Sequence, residues 1–174
     1  MPNVLNGTSG PLVVALLYDG LCTFEFGIVA EIFGLARAEM GAGWYRFASC
    51  PIDDGPLRAH GGLTLVADGT PDLIDQADII VVPGWKGADA PVPGQLCQRL
   101  CNAHARGARL ASICSGAFVL AATGLLDGGT ATTHWRYADE LRRRYPKSRS
   151  MTPRSTATMI ACSRPPAVRP VSTS

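Results

Sequence analysis

The chain has no apolar run approaching the roughly 20 residues that cross a bilayer, and its first residues, MPNVLNGTSG, lack a basic segment followed by an apolar core. Neither a membrane span nor a secretory leader is expected, which sets the compartment as the cytoplasm and leaves no membrane partner. Charge is also scarce. Only 17% of residues are charged, the formal net charge is +2 and the pI is about 8.3, too mild and scattered for this polypeptide to bind nucleic acid itself. The one dense basic run, Arg142 to Arg144, ends a helical pattern, where it complements the helix dipole. Aromatic residues make up 7% of the chain. Cysteine, by contrast, is plentiful. Cys22, Cys50, Cys97, Cys101, Cys114 and Cys162 fall at irregular spacings, in a chain whose 174 residues are 47% hydrophobic. Such a chain buries one core of ordinary size as a single domain, and its cysteines read as reduced thiols rather than a disulfide framework.

Along the chain, PLVVALLYDG is a short continuous apolar run closed by Asp-Gly, the pattern of a strand buried on both faces of a parallel sheet. TFEFGIVAEIFGLARAEMGAG follows with helical spacing, Thr23 as N-cap and Gly41 as stop. WYRFASCP reads as a strand, LRAHGGLTLVADGTP as a small hairpin or extended arm around Gly61 and Gly62, and PDLIDQA as a short helix before the strand DIIVVPG. A Gly/Pro-rich loop from Trp85 to Pro93 precedes a helix over Gln95–Ala105, the strand RLASI and a last helix over Trp135–Tyr145. Alternation of strands and helices with short connections implies a doubly wound, flavodoxin-like parallel α/β sheet. Ligands in such sheets bind beyond the carboxyl ends of the strands, where Asp19, Gly84 and Cys114 are expected.

The run RLASICSGAFVLAATGLL places Cys114 at the junction of a buried strand and an apolar helix, the pattern of a nucleophile elbow. Helix N–H groups pointing at the sulfur favour thiolate over thiol. Position alone leaves open the alternative that Cys114 packs as a small hydrophobe. Cys97, Cys101 and His104 share a helix face, but no fourth ligand accompanies them and apolar neighbours account for the stripe, so no metal is expected.

Taken together, the ICSG elbow and the ATTHW segment that follows make the chain resemble the ThiJ/PfpI superfamily, related to class I glutamine amidotransferases, over about Leu12 to Tyr145. ICSGAFVLAATGLLDGGTATTHWRYADELRRRYP is most similar to the N-terminal domain of AraC/GlxA-type transcriptional regulators, and less so to isocyanide hydratases. The resemblance implies that Glu25 reaches the Cys114 sulfur as its acidic partner, with the carboxyl holding the proton and the thiol pKa lowered. It implies an anion or oxyanion pocket from the backbone N–H groups of Trp85 and Ser115 beside Gly84. It also places His134 near the cysteine, as a general base or as a packed structural residue. Glu31 lies on another helical face and reads as solvated or structural.

Departures narrow the function. The position two residues beyond His134 is Arg136 rather than glutamate, so an amidotransferase triad is absent, and Ser115 stands where PfpI-type proteases keep a histidine. The leading expectation is therefore a small-molecule-sensing domain of an AraC/GlxA-type regulator, homodimeric, without a cofactor, and meeting DNA only through a helix-turn-helix domain absent from this chain. The alternative is a stand-alone enzyme with Cys114 as nucleophile, acting on an isonitrile, an α-oxoaldehyde or an amide.

Residues 1–10 read as a flexible start, 11–147 as the ThiJ/PfpI-like domain, and 148–174 as a disordered tail rich in Ser, Thr, Pro and Arg. Reading the possible codons of Met159–Ser174 one nucleotide earlier permits DDRVLTSAGSAAGIDL, the strand and helix with which the resembling family continues. A frameshift between about Lys147 and Ser150 is the expectation this raises. It implies a truncated sheet with an open edge and, as a third reading, a non-functional gene remnant.

Overall fold

The computed structural model describes residues 9–150 and 159–162. Strand β1 (Leu12–Leu17) is buried along its whole length, as its unbroken apolar sequence requires. It pairs in parallel with β2 (Arg46–Pro51) on one side and β5 (Ile79–Pro83) on the other, and β5 pairs in parallel with β6 (Arg109–Ile113). The sheet order β2-β1-β5-β6, with β9 (Met159–Cys162) beyond β6, gives a flavodoxin-like α/β fold. β3 (Leu57–Ala59) and β4 (Leu63–Leu65) form the expected hairpin, with Gly61 and Gly62 both at positive φ between them.

The sheet's two faces are covered unequally. On one face, α2 (Leu73–Gln76), α3 (Gly94–Ala105), α4 (Ala117–Ala122) and α5 (Ala138–Arg144) enclose the larger core, which includes Leu16, Ile80, Leu100, Leu110, Phe118, Leu120 and Leu141. Each such side chain, fully buried, contributes about 1.5–3 kcal/mol. On the other face, α1 (Thr23–Val29), continued by one π-helical segment over Ala30–Gly34, packs on Val13, Ala15, Val81 and Ile113. An apolar groove of about 210 Å³ remains beside it, lined by Ile28, Ile32, Phe33, Ile79, Val81 and Ala111 among others.

Three readings of local structure need correction. The first helix begins with Cys22 rather than Thr23 as N-cap and ends at Gly34, before the Gly41 stop: Leu35 turns to extended backbone and a separate 3-10 turn covers Ala38–Met40. The last helix starts as a 3-10 turn at Trp135–Tyr137 before α5. Within the stretch expected to be without structure, β8 (Arg149–Ser150) pairs with β7 (Thr130–Ala131), and β9 (Met159–Cys162) pairs antiparallel with β6. The edge of β6 is therefore occupied. Met-Ile-Ala-Cys is a short apolar run in a polar, proline-rich segment, and the free backbone groups of an edge strand accept such a run. The remainder of the 148–174 reading, and most of residues 1–10, lies outside the described residues.

Candidate functional site

The strand β6 ends in a sharp turn over Cys114–Gly116 and runs directly into α4. Cys114 takes φ = +54°, and no other non-glycine among the described residues has positive φ. That conformation is costly for a side chain and holds when its surroundings over-determine it. Two glycines provide those surroundings. A Cβ on Gly116 would stand 2.4 Å from the Val82 carbonyl oxygen, so only glycine lets the elbow press against β5. Gly84, at φ = +75°, turns the chain out of β5 below the elbow. Thr133 fixes the elbow from its other side, its hydroxyl donating to the Cys114 carbonyl at 2.7 Å.

The first turn of α1 sets Glu25 beside the sulfur. Its side chain is only 9% exposed, and Oε2 makes no hydrogen bond among the described residues. The Cys114 sulfur and the Cys22 sulfur at the helix N-cap both lie close enough to this carboxyl for its charge to act on each of them. Tyr18 closes the floor: its hydroxyl donates to the Pro83 carbonyl at 2.9 Å, its ring packs on Trp85 at 5.1 Å, and burial pushes its phenol far above its ordinary range.

The electrostatics correct the sequence-based expectation of a thiolate. The Cys114 thiol is pushed up to about 11, first by burial and then by the hydrogen bond to Glu25 and the glutamate's charge; the Ser115 N–H pulls the other way and is outweighed. A half-buried sulfur next to a carboxylate keeps its proton, because ionising it would place two negative charges side by side. Cys22 is raised as well, again by burial first and Glu25 second.

Of the two backbone donors expected at the pocket, one is already used. The Trp85 N–H donates to Ser115 Oγ at 2.9 Å, and the Ser115 hydroxyl returns a bond to the Trp85 carbonyl at 3.2 Å. Ser115 thereby locks the Gly84–Trp85 turn to the elbow, leaving its own N–H as the donor at the sulfur. His134 is turned to local work: Nδ1 accepts from the Arg136 N–H at 3.3 Å and its ring packs against Trp135 and Tyr137. Glu31 is exposed, as expected. At the rim, Asp19 Oδ1 accepts from the Arg58 N–H, and Lys86 pairs with Asp53 at 2.5 Å while lying over the Trp85 ring.

Cys22 and Tyr18 escaped the sequence reading. Taking Thr23 as N-cap hid the Cys22-x-x-Glu25 spacing, which sets an N-cap side chain against the residue three positions on. In the Cys97, Cys101 and His104 stripe, Cys101 Sγ donates to the Thr123 carbonyl and His104 Nδ1 lies 3.4 Å from the Ala108 carbonyl. No group of three His, Cys, Asp or Glu side chains among the described residues is arranged to hold a metal ion. No helix among them is long and apolar enough to cross a membrane.

A doubly wound parallel sheet with a strained cysteine at the strand-to-helix elbow and a buried acid against its sulfur defines a class of cysteine-elbow α/β proteins. The chain belongs to the DJ-1/PfpI family, whose sequence profile it matches over residues 13–157. It is 38% identical over 144 residues to the uncharacterized protein in the cpoL 5′ region of Streptomyces lividans, covering 80% of this chain and 99% of that one. It is 33% identical over 133 residues to the HTH-type transcriptional regulator CdhR of Pseudomonas aeruginosa, covering 76% of this chain but only 39% of the regulator. The fold matches the crystal structure of an AraC family transcriptional regulator from Pseudomonas putida with TM-score 0.66 and 23% identity, over 82% of this chain and 77% of that one. AraC/GlxA-type regulators are thus among its relatives.

Proposed function

We propose that this chain is a small-molecule-sensing domain of the AraC/GlxA regulator type, with its ligand bound over Cys114 between the elbow, Gly84 and the first turn of α1. The observation that carries this reading is that the polar groups around the elbow are already engaged: the Trp85 N–H donates to Ser115 Oγ and His134 Nδ1 accepts from the Arg136 N–H. A thiol pushed up to about 11, with His134 engaged elsewhere and the Trp85 N–H already spent on Ser115, is built to hold or register a ligand rather than to stand ready as a nucleophile. The regulator relatives support the same reading. DNA contact then belongs to a helix-turn-helix domain of a full-length regulator, not to the sheet domain. A homodimer fits the half-covered face, where the apolar groove adjoins the exposed Ile32. The cytoplasm fits a protein that works with reduced thiols.

The enzymatic alternative is favoured by one specific contact. The Glu25 carboxylate lies where it can take the Cys114 proton, converting thiol and carboxylate into thiolate and carboxylic acid at the moment of attack. Thermal unfolding in the presence of small-metabolite panels, with a parallel assay of isonitrile hydration, separates the two. The sensing reading predicts a ligand that raises Tm of the wild type and not of Cys114→Ala, about 2.7 kcal/mol of stabilisation at a hundredfold excess over Kd, with no turnover. Sustained hydration of an isonitrile, lost in Glu25→Gln, overturns it.

A further inference from the structure

The site contains a second thiol for which neither sensing nor hydration has a use. Cys22 sits at the N-cap of α1, and the elbow approaches it across Gly84. At the place where a Gly84 side chain would stand, Cys22 Cβ is 3.6 Å away, Ser115 Oγ 3.8 Å and the Tyr18 hydroxyl 3.1 Å. The absent side chain is what lets the α1 N-terminus and the residue after Cys114 close on one another. Glu25 stands between the two sulfurs, more than nine-tenths buried and with Oε2 unpartnered among the described residues. Both thiols are partly exposed, in contrast to Cys50, which is sealed in the core.

We propose that Cys22 and Cys114 form a redox-active thiol pair organised by Glu25, which closes to a disulfide when a hydroperoxide oxidises Cys114. The proposal rests on the reading of Cys114 as the chemical centre of the site and assigns Cys22 the role of resolving thiol. In the first step the Cys114 sulfur attacks the peroxide, the O–O bond breaks, and Cys114 sulfenic acid and an alcohol (water, for hydrogen peroxide) form. Glu25 accepts the thiol proton as the sulfur attacks and returns it to the leaving oxygen. In the second step the Cys22 sulfur attacks the sulfenic sulfur, the S–O bond breaks, and water leaves with the Cys22 proton, again handed over through Glu25. The peroxide is reduced by two electrons and the thiol pair oxidised by two.

The carboxylate explains why a pair is needed. Burial and Glu25 both push the two thiols toward the protonated form, and the same carboxylate is placed to serve as the local base for each step. A disulfide needs Cβ atoms about 3.8 Å apart. The final approach falls on the turn from Asp19 to Cys22, where Gly20 at φ = +82° gives the backbone its freedom.

The chain carries its own readout. Cleavage after arginine and lysine puts Cys22 alone in peptide 1–37 and Cys114 alone in peptide 110–136. Wild-type protein treated with one equivalent of hydrogen peroxide and mapped without reductant is expected to lose two thiols per chain, to yield peptide 1–37 joined to 110–136, and to regain both thiols with dithiothreitol. Cys22→Ser is expected to accumulate Cys114 sulfenic acid that dimedone traps, whereas the wild type gives no adduct. Phenylarsine oxide, which bridges two neighbouring thiols with loss of water, gives a second measurement on the unmutated chain: one equivalent should consume Cys22 and Cys114 together. Sulfenic or sulfinic acid on peptide 110–136 of the wild type, with Cys22 still a free thiol, overturns the proposal. So does a disulfide joining Cys114 of one chain to Cys114 of another. Failure of the sensing reading looks different, since a domain without any stabilising ligand would still join the two peptides.

Discussion

The two ends of the same sheet are built on opposite terms. At the amino end every strand is tied down by ordinary bonds. The Leu12 N–H donates to Asp78 Oδ2 at 2.7 Å, the Asp78 N–H to the Leu12 carbonyl, the Arg109 N–H to the Asp78 carbonyl, and Arg46 Nε to the Gly10 carbonyl. At the carboxyl end the backbone turns through positive φ at Gly20, Gly84 and Cys114, a buried carboxyl oxygen lacks a partner, and the thiols around it are shifted upward. The named bonds at one end join strand to strand, whereas at the other a carboxyl oxygen beside the thiols is left without a partner. Chemistry belongs at the end that carries strain and an unspent acid.

That contrast can be broken from either side. The largest effect is expected at the elbow, where Gly116→Ala drives a methyl into the Val82 carbonyl. A loss of about 3 kcal/mol or more in urea unfolding is predicted, the upper end for overpacking because the obstacle is backbone. At the amino end, Asp78→Ala removes the acceptor that joins β1 to the start of β5. About 1.5 kcal/mol should be lost in the same assay, with Cys114 chemistry unchanged. The smallest effect has the opposite sign. Cys114→Gly removes the side chain from its left-handed conformation, and the chain should gain about 1 kcal/mol while losing the site. A stabilised but inert variant is what a strained functional residue predicts; a destabilised one would mean that Cys114 is an ordinary packing residue.

Much of this architecture was legible in the sequence. β1, β5 and β6 announced themselves as unbroken apolar runs, because a strand covered on both faces has no polar side to display. The elbow followed from one cysteine between such a run and an apolar helix, and Glu25 was reached through the family resemblance. What escaped depends on distances that no spacing encodes. The pairing of Trp85 with Ser115, 30 positions apart, is fixed only once β5 and β6 lie side by side. The direction of the Cys114 shift was misread because helix-end N–H groups are visible in a strand-turn-helix pattern, whereas the degree of burial is not. β9 was hidden for another reason: four apolar residues in a proline-rich stretch carry too short a signal to distinguish a strand from chance.

The most direct test of the account is the pH profile of Cys114 alkylation by iodoacetamide, followed on peptide 110–136 in the wild type and in Glu25→Gln. If burial and the glutamate charge hold the thiol protonated, the wild-type midpoint lies well above the free-cysteine value of about 8.5 and near 11. Glu25→Gln should then lower it, since the charge is gone while burial stays. A wild-type midpoint below the free value that rises in Glu25→Gln would contradict the account, because it would mean that the carboxyl carries the proton and Cys114 stands as a ready thiolate.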